Sequence, residues 1–367
     1  MTKLTIDPRV VGRKILFFFK WLLISLVILL LAAFAIESYL KYQDRHRFPA
    51  PGNLYQVNNH KMHIWCEGEG EPTIILDSGA SMFSSGWRWV MPELAQHTQV
   101  CAFDRSGLGW SEKAPEPYDG VTAANELHQL LQQAKIKTPF IYVGHSLGAN
   151  LGRIYYHQYP SDLKALLMLE PADPTIFLQE MSEEKGNTVA RGQPIVDCGM
   201  RCVMASFMSS IGIVRVAFNQ IELVNDPLFH SQSLAEYKAR MNRPQSLTFL
   251  AQRGRYITEI MFQTADNKSF DDLPVAMIHS ENAGELLGDH QNQREMIEDR
   301  EKGLVAYQKT LNLSSQSLGF TKITNANHLS MVMYQEPAKQ VSQRIIQIVQ
   351  SLNQQPQTTP ETNYEAH

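Results

Sequence analysis

The sequence predicts one α/β domain with a mostly parallel sheet, carried behind an apolar N-terminal segment. Three observations lead there. From residue 61 onward, short apolar, β-branched runs alternate with helical patterns. A serine flanked by glycines, in "YVGHSLGAN" at 142–150, lies where one such run gives way to a helix. Residues Ile15 to Ile36 read "ILFFFKWLLISLVILLLAAFAI", with Lys20 as their only charge.

The N-terminal run is long enough for a bilayer, which about 20 apolar residues span. Lys3, Arg9, Arg13, Lys14 and Lys20 stand against a single Asp7. Positive charge is retained on the cytoplasmic side, so residues 1–14 are expected there and everything after Glu37 across the membrane, in a periplasmic or extracellular space. A cleaved signal peptide is the competing reading, because Ala33-Phe34-Ala35 fits an A-x-A cleavage pattern. The run is long for such a peptide, which favours a retained anchor over 15–36. A buried core helix is a third reading, but so long a run without an amphipathic face suits lipid better. Residues 37–53 then read as a charged linker marked by Pro49, Pro51 and Gly52.

Strand candidates follow at 61–66, 73–78, 98–104, 140–146, 165–170, 275–280 and 319–324. Several are apolar on successive residues, as strands covered on both faces should be. Helical patterns lie between them, at 122–136 and 151–160 among others. About a hundred residues, 171–272, separate two strands and carry helical stretches such as "VMASFMSSIGIVRVAFNQI". Such an excursion is expected to form a lid over the strand ends, within a core of 54–170 and 273–352. The tail, 353–367, is rich in Gln, Thr and Pro and reads as unstructured.

Composition removes several classes of function. A net charge of −4, with no basic stripe, gives no reason to expect nucleic acid as a partner. No phosphate-loop, dinucleotide or zinc-protease motif is present. No cofactor and no metal are expected, because the close pair Cys198 and Cys202 lacks further ligands at suitable spacing. The sequons at Asn267 and Asn312 are expected by chance in a chain this long.

Ser146 matches G-x-S-x-G with "FIYV" before it and a helical pattern after it, the context that gives the motif meaning. A serine hydroxyl needs a base to take its proton. Of twelve histidines, His328 in "TNANHLSMVMYQEP" fits best, after the last strand and before a helix near Pro337. His145 is expected to line the pocket, and His279 is a distant second choice for the base. The developing oxyanion needs two N–H donors. Leu147 is expected to supply one and Ala80, in "LDSGAS", the other; Ser78 and Ser81 are less favoured.

"TIILDSGASMFSSGWRWVMPELAQHTQVCAFDRSGLGWSE", "YVGHSLGANLGRIYYHQYP" and "ANHLSMVMYQEP" together resemble the α/β-hydrolase superfamily, in its lid-bearing branch. The resemblance covers roughly residues 54 to 352. It implies the α/β-hydrolase fold: an eight-stranded sheet with its second strand antiparallel and a helical lid inserted after the sixth strand. Many relatives carry the triad acid after the seventh strand, where this chain reads "HSENAG" with Ala283 at the usual aspartate position. Alanine cannot orient an imidazole or stabilise its charged form. Some relatives place the acid after the sixth strand, which here is Glu170, the first choice, ahead of Glu281 and Asp173. Asp104 and Arg105 read as structural, an ion pair that fixes a loop.

In an oxidising compartment two disulfides are expected, 66–101 and 198–202, with four buried free thiols as the alternative. The resemblance supports the first pair by placing the strands of Cys66 and Cys101 side by side. The expected activity is that of a membrane-anchored serine hydrolase on a small acyl substrate, an ester, thioester or amide of lipophilic character. An acyltransferase and a non-catalytic binding protein on the same fold are the alternatives.

Overall fold

The computed structural model describes residues 8–114, 118–185, 199–220, 227–267, 269–282 and 303–354. The apolar segment lies in helix α1 (Pro8–Arg47), which is long and apolar enough to cross a membrane and leaves nearly all of its apolar side chains exposed. The expected linker is corrected over 37–47. Nothing there breaks a helix before Pro49, and the rings of Tyr42 and His46 are in contact one turn apart, so α1 continues to Arg47.

Eight strands follow: β1 (Asn53–Val57), β2 (His60–Glu67), β3 (Ile74–Asp77), β4 (Val100–Phe103), β5 (Phe140–His145), β6 (Leu163–Leu169), β7 (Val275–Asn282) and β8 (Ser317–Asn327). They form one sheet in the order β1-β2-β4-β3-β5-β6-β7-β8. β2 runs antiparallel to both of its neighbours, β1 and β4; β3 to β8 pair in parallel. Strands β3, β4 and β5 are buried along their whole length, because helices cover both faces. The strand that sequence patterning missed is β1. It is an edge strand with Val57 as its one buried residue, so it carries no apolar run.

Helices α2 (Gly120–Gln133) and α3 (Leu147–Gln158) pack on one face through Leu127, Leu130 and Ile154. Asp119 caps α2 by accepting from Thr122 N–H at 2.7 Å, which starts the helix slightly ahead of the 122–136 pattern. Between β6 and β7 the described residues form helices α4 (Pro174–Lys185), α5 (Gly199–Ser210), α6 (Ile213–Phe218), α7 (Ser231–Met241) and α8 (Pro244–Asp266). Gly212, at φ +82°, separates α5 from α6. After β7 come α9 (303–311) and α10 (Gln335–Gln354), the latter burying Val341, Ile345 and Val349 against the opposite sheet face.

The α4–α8 excursion rests on loops at the carboxyl ends of β3 and β4. Arg88 donates to Glu236 at 2.6 Å, Ser233 Oγ to Ser85 O at 2.6 Å and Arg243 to Gly109 O at 2.9 Å. In open α/β sheets that end is where ligands bind. Cys66 and Cys101 face each other across the β2–β4 pair and are joined by a disulfide. Cys202 is also disulfide-bonded; its expected partner, Cys198, lies outside the described residues.

Candidate active site

Ser146 occupies the turn between β5 and α3 with φ +53° and ψ −120°. A side chain held there costs on the order of 1–3 kcal/mol, so the surroundings must enforce it. Ser146 N–H donates to Leu169 O at 2.8 Å, and its carbonyl accepts from Ala149 N–H at 3.0 Å. The two flanking glycines are required by contact. A methyl carbon on Gly144 would lie 2.4 Å from Ala149 N, and one on Gly148 would lie 2.4 Å from Asp77 O.

Glu170 follows the last residue of β6, also at positive φ (+49°), with its N–H bonded to Ile278 O at 2.9 Å. Its carboxylate is buried. One oxygen accepts from Ser280 Oγ at 2.7 Å and the other faces His328 Nδ1 at 3.1 Å. Burial would push this carboxyl up, but the hydrogen bond and charge of His328, with the Ser280 bond, hold it below the ordinary carboxylate value. His328 lies in the loop after β8, partly exposed, and the Glu170 contact leaves its Nε2 as the remaining ring nitrogen.

His145, the residue before the serine, is wholly buried. Burial pushes its imidazole down to about 3, so it is neutral at physiological pH. Its Nε2–H donates to the backbone carbonyl of His328 at 2.8 Å, and the two rings lie 4.8 Å apart. The expected pocket-lining residue therefore also ties the His328 loop to the serine turn. It borders a small apolar recess lined by Met82, Trp87, Leu329, Val332 and Met333.

The loop after β3 reaches the same turn, since a methyl carbon on Gly79 would lie 3.5 Å from Ser146 Cβ. Arg105 is buried and donates to Asp77, to Ser78 O at 2.6 Å and to Gly79 O. A trans peptide points its N–H opposite to its carbonyl, so Arg105 turns the Ala80 N–H to the far side of that peptide plane. Leu147 is the first residue of α3, where an N–H has no acceptor within the helix. The hydroxyl of Ser78 accepts from Trp87 Nε1 at 2.9 Å.

The other carboxylates lie elsewhere. Asp173 accepts from Thr175 and Ile176 N–H, at 2.9 and 3.0 Å, at the start of α4. Glu281 pairs with Lys322 at 3.2 Å and with Asn325 N–H at 3.1 Å. His279 stacks on Phe320, and Ala283 lies outside the described residues. Asp104 accepts from Ser84 and Trp110 N–H and faces His63 at 2.9 Å, a loop-fixing role as expected. The partner of Arg105 is Asp77, however, and not its sequence neighbour Asp104. Sequence reasoning missed Ser280, which becomes visible only once β6 and β7 are paired in register.

Comparison with known proteins agrees with the fold. A family model described as the alpha/beta hydrolase fold matches residues 72–193. YbdG of Bacillus subtilis, an uncharacterised protein, is 22% identical over 43% of this chain and 52% of its own length. An uncharacterised vacuolar membrane protein of Saccharomyces cerevisiae is 23% identical over 42% of this chain and 29% of its own. The chain thus spans about half or less of these curated relatives. Among solved structures, a candidate lipase of Acinetobacter baumannii superposes with a TM-score of 0.56 at 17% identity, over 86% of this chain and 96% of that one. A thermophilic esterase of Thermogutta terrifontis gives 0.54 at 14% identity, over 82% and 99%. Sheet order, family model and structural neighbours coincide: this chain has the α/β-hydrolase fold.

Proposed function

We propose that the chain is a membrane-anchored serine hydrolase that cleaves an ester, thioester or amide through an acyl-enzyme. Ser146 attacks the acyl carbonyl, His328 takes its proton through Nε2, and Glu170 holds the imidazole in the needed tautomer and stabilises its charged form. The N–H groups of Leu147 and Ala80 receive the oxyanion. His328 then protonates the leaving group, and water releases the acyl chain by the same steps in reverse order of partners. The observation that carries the reading is the 3.1 Å contact between His328 Nδ1 and a buried Glu170, beside a serine in a strained turn. The apolar recess and the apolar N-terminal helix support a lipophilic acyl group and anchorage in a bilayer, and the Lys and Arg residues around the start of that helix support a domain on the extracytoplasmic side. Fluorophosphonate labelling tests the nucleophile: wild type should label and Ser146→Ala should not. Equal labelling of the two would remove Ser146 from its role.

A further inference from the structure

We propose that helices α5 and α6 lie in the bilayer surface beside α1, with their apolar faces at the boundary between headgroups and acyl chains. This rests on the reading that α1 crosses the bilayer. On α5, Met200, Val203, Met204 and Phe207 follow i, i+3, i+4, i+7 spacing and are 72%, 64%, 55% and 53% exposed. Ile213 and Val216 on α6 extend the patch, at 49% and 65%. Six exposed apolar side chains on two successive helices, four of them on one helix face, mark a partner surface. What identifies the partner is how α1 is joined to the same helices.

The end of α1 is fixed to α5–α7 by a buried polar cluster. Glu37, 2% exposed, receives a forked pair from Arg215 of α6 at 2.9 Å and a bond from Asn242, just past α7, at 2.6 Å. Lys41 donates to Ser209 of α5 at 2.7 Å, and Asp44 accepts from Arg215 at 2.9 Å. The covered face of α1 continues backward from Glu37 to Ala33 and Leu30, which are half-buried amid exposed neighbours. Helix α1 packs against α5. At 1.5 Å per residue, Leu30 lies roughly 9 Å below Ile36 along the helix. The body of the protein therefore reaches back along the apolar span by about the 5–10 Å at which surface-lying amphipathic helices sit in lipid.

The full chain, reconstituted into phosphatidylcholine–phosphatidylglycerol vesicles, gives the test. Cys66, Cys101 and Cys202 are in disulfides, so an introduced thiol takes an environment-sensitive fluorophore. The label is placed singly in Leu26→Cys, Phe207→Cys, Val216→Cys and Glu93→Cys. The vesicles carry nitroxide at a shallow or a deep acyl-chain position. The Leu26 probe, near the middle of the span, should lose most emission to the deep nitroxide. The Phe207 and Val216 probes should lose most to the shallow one, and the Glu93 probe little to either. If the Leu26 probe is unquenched, the anchor reading fails. If Leu26 is quenched while Phe207 and Val216 are not, the cap does not meet lipid and this proposal is overturned. Shielding of both cap probes that ignores nitroxide but rises with protein-to-lipid ratio assigns the patch to a second copy, which also overturns it.

Discussion

Glu170→Gln isolates the contribution of one charge. The amide keeps the shape of the carboxylate and can still accept from Ser280 Oγ, now 2.7 Å from Glu170 Oε1. Its NH2 then faces His328 Nδ1, where the carboxylate stood at 3.1 Å. Two donors cannot face each other, so the imidazole moves its proton to Nε2 and presents a bare Nδ1 to the amide. That tautomer cannot accept the proton of Ser146. Losing the carboxylate also removes the counter-charge that stabilises the imidazolium. Such a change lowers kcat by about 10⁴-fold, on the order of 5 kcal/mol in the barrier. Stability should fall far less, by about 1.5–3 kcal/mol for one charged hydrogen bond. Steady-state hydrolysis of p-nitrophenyl esters of graded chain length measures the first quantity, and denaturant unfolding the second. Glu281→Gln serves as the comparison, since Glu281 pairs with Lys322 and Asn325. A Glu170→Gln enzyme that keeps kcat within about ten-fold of wild type, at matched KM, would refute the assignment of the acid and the tautomer reasoning with it.

Three further outcomes are expected. Gly148→Ala should abolish ester turnover and fluorophosphonate labelling, because the new methyl meets Asp77 O at 2.4 Å; a variant that labels normally would show that the turn relaxes without loss. His145 is neutral in the folded chain down to about pH 3, whereas an unfolded histidine takes up a proton below about 6.5, so between these values the unfolded state binds more protons and stability falls as pH falls. At pH 5 this amounts to about 2 kcal/mol, and unfolding curves of His145→Gln should lose that share of the pH dependence; identical slopes would count against it. Removing the disulfide in Cys66→Ser/Cys101→Ser opens a loop of 35 residues and should cost about 4 kcal/mol by loop entropy, read from the unfolding midpoint in urea. A midpoint shift under a quarter of that would mean the β2–β4 pairing alone holds the register.

Much of the scaffold is legible because the central strands are buried on both faces and so write apolar runs into the sequence. The edge strand β1 writes none, with four of its five residues at least partly exposed. Ser146 and His328 announce themselves by motif and by position late in the chain. Glu170 is reached only through the resemblance to relatives that place the acid after the sixth strand, because its credential is three-dimensional: β6 ends beside β7, and Ser280 then meets it. Arg105 shows the same limit. Its sequence neighbour Asp104 suggests an ion pair, but adjacent side chains diverge, and the guanidinium instead crosses to the loop after β3. The helical course of residues 37–47 was hidden by their charge, which reads as solvated linker until Glu37 is seen to be buried among Arg215 and Asn242.

The Glu37 cluster changes which part of the molecule counts as stationary. Covers over hydrolase sites are pictured as mobile flaps on a fixed sheet. Here the helix that would be held by the bilayer grips the cap through Arg215, Ser209 and Asn242, and the sheet follows only after Pro49, Pro51 and Gly52. On the proposed anchoring, the cap would be the stator. Any opening between cap and sheet would then register as a tilt of the whole sheet domain, carrying Ser146 toward or away from the lipid surface.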